Sequence, residues 1–333
     1  MPSTSVIITI AIVILALSFD FINGFHDTAT AVATTITTRA LKPKTAILLC
    51  ATFNFLGAFM GTAVAKTVGD DIVSHNYMPQ WVLIGVLIAC IVWNIITWYF
   101  GIPSSSSHAL IGSLIGGGIV YNRSFHVVQW ANVFDHVIVW LVLGPAIGFV
   151  LGYIVMVILN WILKPFKPRG VNRLFQKLQI LASAFMALNH GANDAQKSMG
   201  IITMALLSGG LISTFDVPIW VIGACALAMA LGTSVGGKKI IKTMGSGMAK
   251  LTPVGGFAAQ MGAATSILGA TIFDAPVSTT QVITTTIMGV GASKNIKSVK
   301  WGVAKNIIWA WILTVPLSAI IAGIVVEILK IIV

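Results

Sequence analysis

Long apolar runs dominate this chain of 333 residues, among them 6–21, 81–93, 137–162 and 302–326. They approach or exceed the roughly 20 residues that a membrane helix needs. Inside a bilayer no water satisfies peptide groups, so each run must close its own hydrogen bonds as a helix. Composition agrees, with 57% of residues hydrophobic and 9% charged, where a soluble domain carries about 25% charged residues. The chain reads as an all-α integral membrane protein. No basic region precedes the first run and no small-residue cleavage site follows it, so it is expected to stay as a helix. Cys50, Cys90 and Cys225 lie in apolar runs without CxxC spacing and read as packing residues.

Two polar motifs interrupt the apolar pattern, and each occurs twice. One is a proline, a small residue and three hydroxyl side chains: Pro103–Ser107 and Pro276–Thr280. The other is Asn23-Gly24-Phe25-His26-Asp27 and His190-Gly191-Ala192-Asn193-Asp194, with the carboxylate three residues after the glycine. The copies are 167 residues apart for the Asp motif and 173 for the hydroxyl motif, which places both in one long internal repeat. We expect each half to contain a broken helix, a plain helix, a helical hairpin bent at the Pro-hydroxyl motif and a closing helix. The first half gives 5–38, 45–66, 80–120 and 136–163; the second gives 178–207, 217–237, 251–291 and 302–331. The expected organisation is a first repeat at 1–163, a basic linker at 164–177 and a second repeat at 178–333.

If each hairpin enters and leaves on one side, a half crosses the membrane three times, and the second half is inserted upside down. Charge tests this independently. The loops within 39–44, 164–177, 238–250 and 294–300 carry fifteen basic residues and no acid. The opposite side carries Lys66, Asp70, Asp71, Arg123, Asp135 and Asp216, a net of −2. The net charge of +11 is therefore a matter of orientation, not of nucleic-acid binding. Both termini are expected outside a plasma membrane, with the basic loops in the cytoplasm.

Pro103 and Pro276 lack an amide hydrogen and disfavour a helical residue before them, so a new helix can start there. Ser105, Ser106 and Ser107 then occupy a first turn whose amides have no intrahelical partner, and Ser278, Thr279 and Thr280 repeat the design. Amides, hydroxyls and the helix dipole together suit an anion without a fixed cation. Helix capping is the plainer role for one such copy; two copies in inverted repeats favour a shared anion site. Asp27 and Asp194 are costly at bilayer depth and point to a cavity or a partner. With Asn23 and His190 nearby, and backbone carbonyls freed at the glycine breaks, they suit sodium or a proton. For Asp194 the competing role is an ion pair with Lys197 one turn later. Asp20 is a second acid on the first helix, but its repeat counterpart is Ala187. Asn54, Asn94 and Gln260 read as interhelical hydrogen bonders, and Gly57-xxx-Gly61 and Gly232-xxx-Gly236 as close packing. His108 follows the first hydroxyl run where Gln281 follows the second, so a role common to both is hydrogen bonding to substrate.

These residues carry a resemblance. The chain is similar to the inorganic phosphate transporter (Pit) family of cation-coupled symporters, through Asn23–Ala29, Gly191–Lys197, Trp93-Asn94 leading into Pro103–His108, and Pro276–Thr280. The resemblance implies phosphate as the substrate, where spacing alone reaches a small anion; arsenate and sulfate are close in size. Two positions depart from the family pattern: Thr30 stands where Asn is usual, and Gln281 where His is usual. The expected activity is phosphate import by symport, with sodium favoured and proton-coupled phosphate or metal-phosphate symport as the alternative. No cofactor is expected beyond co-transported sodium; the partners are phosphate, sodium or a proton, and lipid, with a homo-oligomer compatible and nucleic acid not expected. A channel would need a continuous polar path. A hydrolase would need a nucleophile elbow, and GxSxG is absent while the second hydroxyl run lacks its histidine, so an enzyme is not expected.

Overall fold

The computed structural model describes residues 4–246 and 248–332. Helices α1 (Thr4–Thr37), α2 (Pro43–Gly57) and α3 (Ala63–Gly69) lead into a hairpin of α4 (Gln80–Phe100) and α5 (Ser106–Asn122). The first half closes with α6 (Trp130–Val133), a π-helical stretch (Phe134–Ile138) and α7 (Val139–Leu163), continuous from Trp130 to Leu163. The order then recurs as α8 (Pro168–Ser208), α9 (Ile219–Val235), α10 (Lys238–Ser246), a hairpin of α11 (Pro253–Ile272) and α12 (Thr279–Ala292), and α13 (Trp301–Ile332). Among the described residues, Ser5–Thr37, Gln80–Phe100, Trp130–Leu163 and Trp301–Ile332 are long and apolar enough to cross a membrane.

The long helices that carry Asp27 and Asp194 are not broken. α1 runs straight through Gly24 and α8 through Gly191, so no backbone carbonyl is released there. The glycines instead permit close helix crossing. A side chain on Gly24 would strike the Met229 carbonyl oxygen of α9, and one on Gly232 the carbonyl oxygen of Phe21. The second crossing repeats the first: Gly191 lies against the backbone of Asn54, and Gly57 against the Leu188 carbonyl oxygen. Each long helix thus packs on the second helix of the other half. Residues 168–177, expected in the linker, form the first turns of α8, where Pro168 has the fixed φ that suits a helix start.

Packing in one half reappears in the other. α1 lies on α4 as α8 lies on α11, and α13 packs on α4 and α5 as α7 packs on α11 and α12. α1 and α8 run antiparallel. Ser5 bonds Gly209, Asp20 bonds Ser198, Asn23 bonds Asp194, Ala31 bonds Ser183 and Thr38 bonds Gln179, so partners fall along α8 as numbers rise along α1. α8 is buried along its length from Met186 to Leu206 save for Leu188, so its polar side chains face protein and not lipid.

Candidate functional site

Both hairpins bend as the prolines require, and both new helices are capped alike. Ser105 precedes α5 and accepts a hydrogen bond from the His108 amide at 3.1 Å; Ser278 precedes α12 and accepts from the Gln281 amide at 3.3 Å. These two hydroxyls are therefore caps. The first-turn amides of Ser106, Ser107, Thr279 and Thr280 are those that helical bonding leaves without partners. The two starts meet. Ser107 donates to the Val277 carbonyl at 3.0 Å, and Gln281 Nε2 lies 3.2 Å from His108 Nδ1. Trp311 braces the first bend through the Pro103 carbonyl, and Asn193 braces the second through Thr271 and the Ala275 carbonyl. Asn193 thus holds a hairpin in place and does not join the carboxylates.

The crossing of α1 and α8 lies beside these helix starts. Asp27 accepts from Ser106 of one hairpin at 3.0 Å and from Thr280 of the other at 2.9 Å. Its second partner on Oδ1 is His26 Nδ1, 2.8 Å away, whose Nε2 reaches Thr97 at 3.1 Å. Asp194 pairs with Lys197 through Oδ1, while Oδ2 faces Asn23 Nδ2 at 3.4 Å, Thr279 at 3.5 Å and His190 Nε2 at 3.3 Å. Atoms of Asp27, His190 and Asp194 lie within 4.8 Å of one another, although 163 residues separate Asp27 from His190. None of Asn23, Asp27, Ser105, Ser106, Ser107, His190, Asp194, Ser278, Thr279, Thr280 and Gln281 is more than 5% exposed. The cluster is closed to solvent on every side.

Hydrogen bonding fixes what His190 offers this cluster. Thr233 gives its proton to the Met229 carbonyl at 2.8 Å, so it accepts from Asn54 Nδ2 at 3.0 Å. Asn54 Oδ1 is then an acceptor, and His190 Nδ1, 3.2 Å away, must carry hydrogen. In neutral His190 the Nε2 lone pair therefore faces Asp194, and that nitrogen has no hydrogen-bond partner. Asn23 Oδ1 is likewise unpartnered. Two carboxylate groups and the His190 ring nitrogen converge, and between Asp194 and neutral His190 two electron pairs meet without a proton. A cation or a proton there satisfies both.

Comparison with known proteins shows the family. The sequence profile of the phosphate transporter family matches residues 23–322, which include every residue of the cluster. The chain belongs to the phosphate transporter family. A Bacillus subtilis member described as a probable low-affinity inorganic phosphate transporter is 49% identical over 98% of both chains. A Rhizobium meliloti protein of the same description is 43% identical over 94% of both. A solved structure titled the sodium-dependent phosphate transporter superposes with a TM-score of 0.87 at 25% identity, covering 98% of this chain and all of that one. The relatives' names are those of transporters, not of catalysts.

Within this family member, the two departures from the usual pattern have physical explanations. Thr30 turns back to the Asp27 carbonyl at 2.7 Å and does not reach the cluster. Gln281 complements His108 across the joined helix starts. Sequence reasoning missed Thr97 and Ser104, which enclose His26, and it gave Asn54 no part in orienting His190. A lone amide in an apolar helix was the signal available for Asn54. The ion pair with Lys197, set against a cation-binding role for Asp194 in the sequence analysis, is present, and the structure buries it.

Proposed function

We propose that this phosphate transporter imports inorganic phosphate by symport with a cation, sodium favoured. The carrying observation is that Asp27 holds hydroxyls from both hairpins while facing His190 and Asp194 from the opposite half. Phosphate then binds at the joined helix starts, on first-turn amides and the hydroxyls of Ser106, Ser107, Thr279 and Thr280, with Ser105, Ser278 and Gln281 shaping them. The cation binds beside it at Asn23, Asp27, His190 and Asp194. Because the helices are unbroken, its oxygen ligands are side chains and not backbone carbonyls. The sodium dependence named in the solved relative's title supports sodium here.

The antiparallel crossing of α1 and α8, with their reciprocal partners, supports an inverted repeat in which the halves rock about a fixed central site. Charge asymmetry supports an orientation with both termini outside the plasma membrane and the basic loops in the cytoplasm. A second reading, proton-coupled phosphate or metal-phosphate symport, is favoured by His190 Nε2, because imidazole suits protons and transition metals better than sodium. Radiolabelled phosphate uptake into proteoliposomes separates the two. An inward sodium gradient at equal pH should drive uptake; indifference to sodium with a response to a pH gradient would select the second reading.

A further inference from the structure

One of the differences between the two halves puts an amine into the cluster. Lys197 follows Asp194 by three residues, and the residue three after Asp27 is Thr30. Thr30 spends its hydroxyl on its own helix, so Asp27 has no amine partner. Lys197 is 1% exposed and among the largest side chains buried in the protein, and its ammonium pairs directly with Asp194 Oδ1. Lysine strongly prefers water, and a four-carbon stem near a helix end or a lipid boundary can normally reach it. Here the stem instead carries the charge into the middle of the candidate site.

We propose that the Lys197 ammonium is a tethered cation: it occupies the place at Asp194 Oδ1 that a second free cation would otherwise take, and leaves one exchangeable cation, held by Asp27 with Asn23, His190 and the other Asp194 oxygen. This rests on the cation-coupled reading above and sets its stoichiometry. With neutral histidines, Asp27 and Asp194 bring two carboxylates to the cluster, and the Lys197 ammonium offsets one of them. The remaining charge, together with the anion, calls for fewer free cations than two open carboxylates would. The groups left around Asp194 without the ammonium suit a small cation: its own carboxylate, Thr279 Oγ1 and the unpartnered Nε2 of His190. Asp20 lies further along the crossing, bonded to Ser198 at 2.6 Å, and its second oxygen is unpartnered. It makes no hydrogen bond or ion pair with Asp194 or Lys197.

The test measures radiolabelled sodium bound per protomer of the purified full chain at saturating inorganic phosphate. Wild type should bind one, Lys197→Met two, and Lys197→Arg, which keeps the fixed charge, one. Two in wild type, or one in Lys197→Met, would overturn the assignment while leaving sodium coupling intact. No sodium in wild type would overturn the sodium reading instead, and Lys197 is then judged by stability. Lys197→Met should lose thermal stability in choline and recover it saturably as sodium or another small cation replaces choline, with wild type shifting much less. A variant unstable in every salt marks the pair as structural and refutes the tethered cation.

Discussion

Asp27 receives hydrogen bonds from three separate segments: His26 on its own helix, Ser106 on α5 and Thr280 on α12. Each approaches as a donor to a charged acceptor, an interaction of about 1.5–3 kcal/mol. Asp27→Asn keeps the shape and removes the charge, so the sodium needed for half-maximal phosphate uptake should rise roughly ten- to a hundredfold. An unchanged sodium dependence in proteoliposomes would remove Asp27 from the cation site. Asp27 was legible in the sequence because a carboxylate in an apolar run with no nearby cation needs a partner. The Asn54–His190 bond was not, because its members lie 136 residues apart on helices that a local pattern cannot bring together.

At the scale of elements, glycine was read for the wrong property. Gly24 and Gly191 suggested chain breaks, yet both sit inside continuous helices and serve as the flat faces on which α9 and α2 rest. The hydroxyl motifs were read correctly as bends because proline acts locally, through its ring and missing amide hydrogen. Gly191→Val should drive a side chain into the backbone of Asn54, which cannot yield as a flexible side chain would. Overpacking of this kind costs about 1–3 kcal/mol, seen as a lower melting temperature in detergent. Gly223→Ala on α9 is the control, since nothing lies within 4 Å of the added methyl group, and it should melt like wild type. Equal melting of all three proteins would contradict the close crossing.

For the whole molecule, the site is closed and the Ser106 and Thr280 hydroxyls are turned onto Asp27. Binding both ligands in one such enclosure couples them, because a cation that engages Asp27 frees Ser106 and Thr280 to face an anion and offsets its charge. Phosphate affinity should therefore rise with sodium, and sodium affinity with phosphate by the same factor, as linkage requires. Isothermal titration of phosphate at stepped sodium concentrations measures this directly. An affinity flat across the titration would show that the two ligands do not share the enclosure.

The sequence by itself determined that the chain is helical and membrane-embedded, that two polar motifs each occur twice, and where both hairpins bend. Each of those properties follows from local chemistry: apolar length, proline geometry and the cost of a carboxylate in lipid. It also carried the motifs that mark the phosphate transporter family. Only the tertiary structure decided that the long helices stay intact and cross antiparallel, that Asn54 fixes the His190 tautomer, and that Lys197 is sealed inside with Asp194. These outcomes depend on which faces meet, and that is settled by packing between helices far apart in the chain, such as the 136 residues between Asn54 and His190.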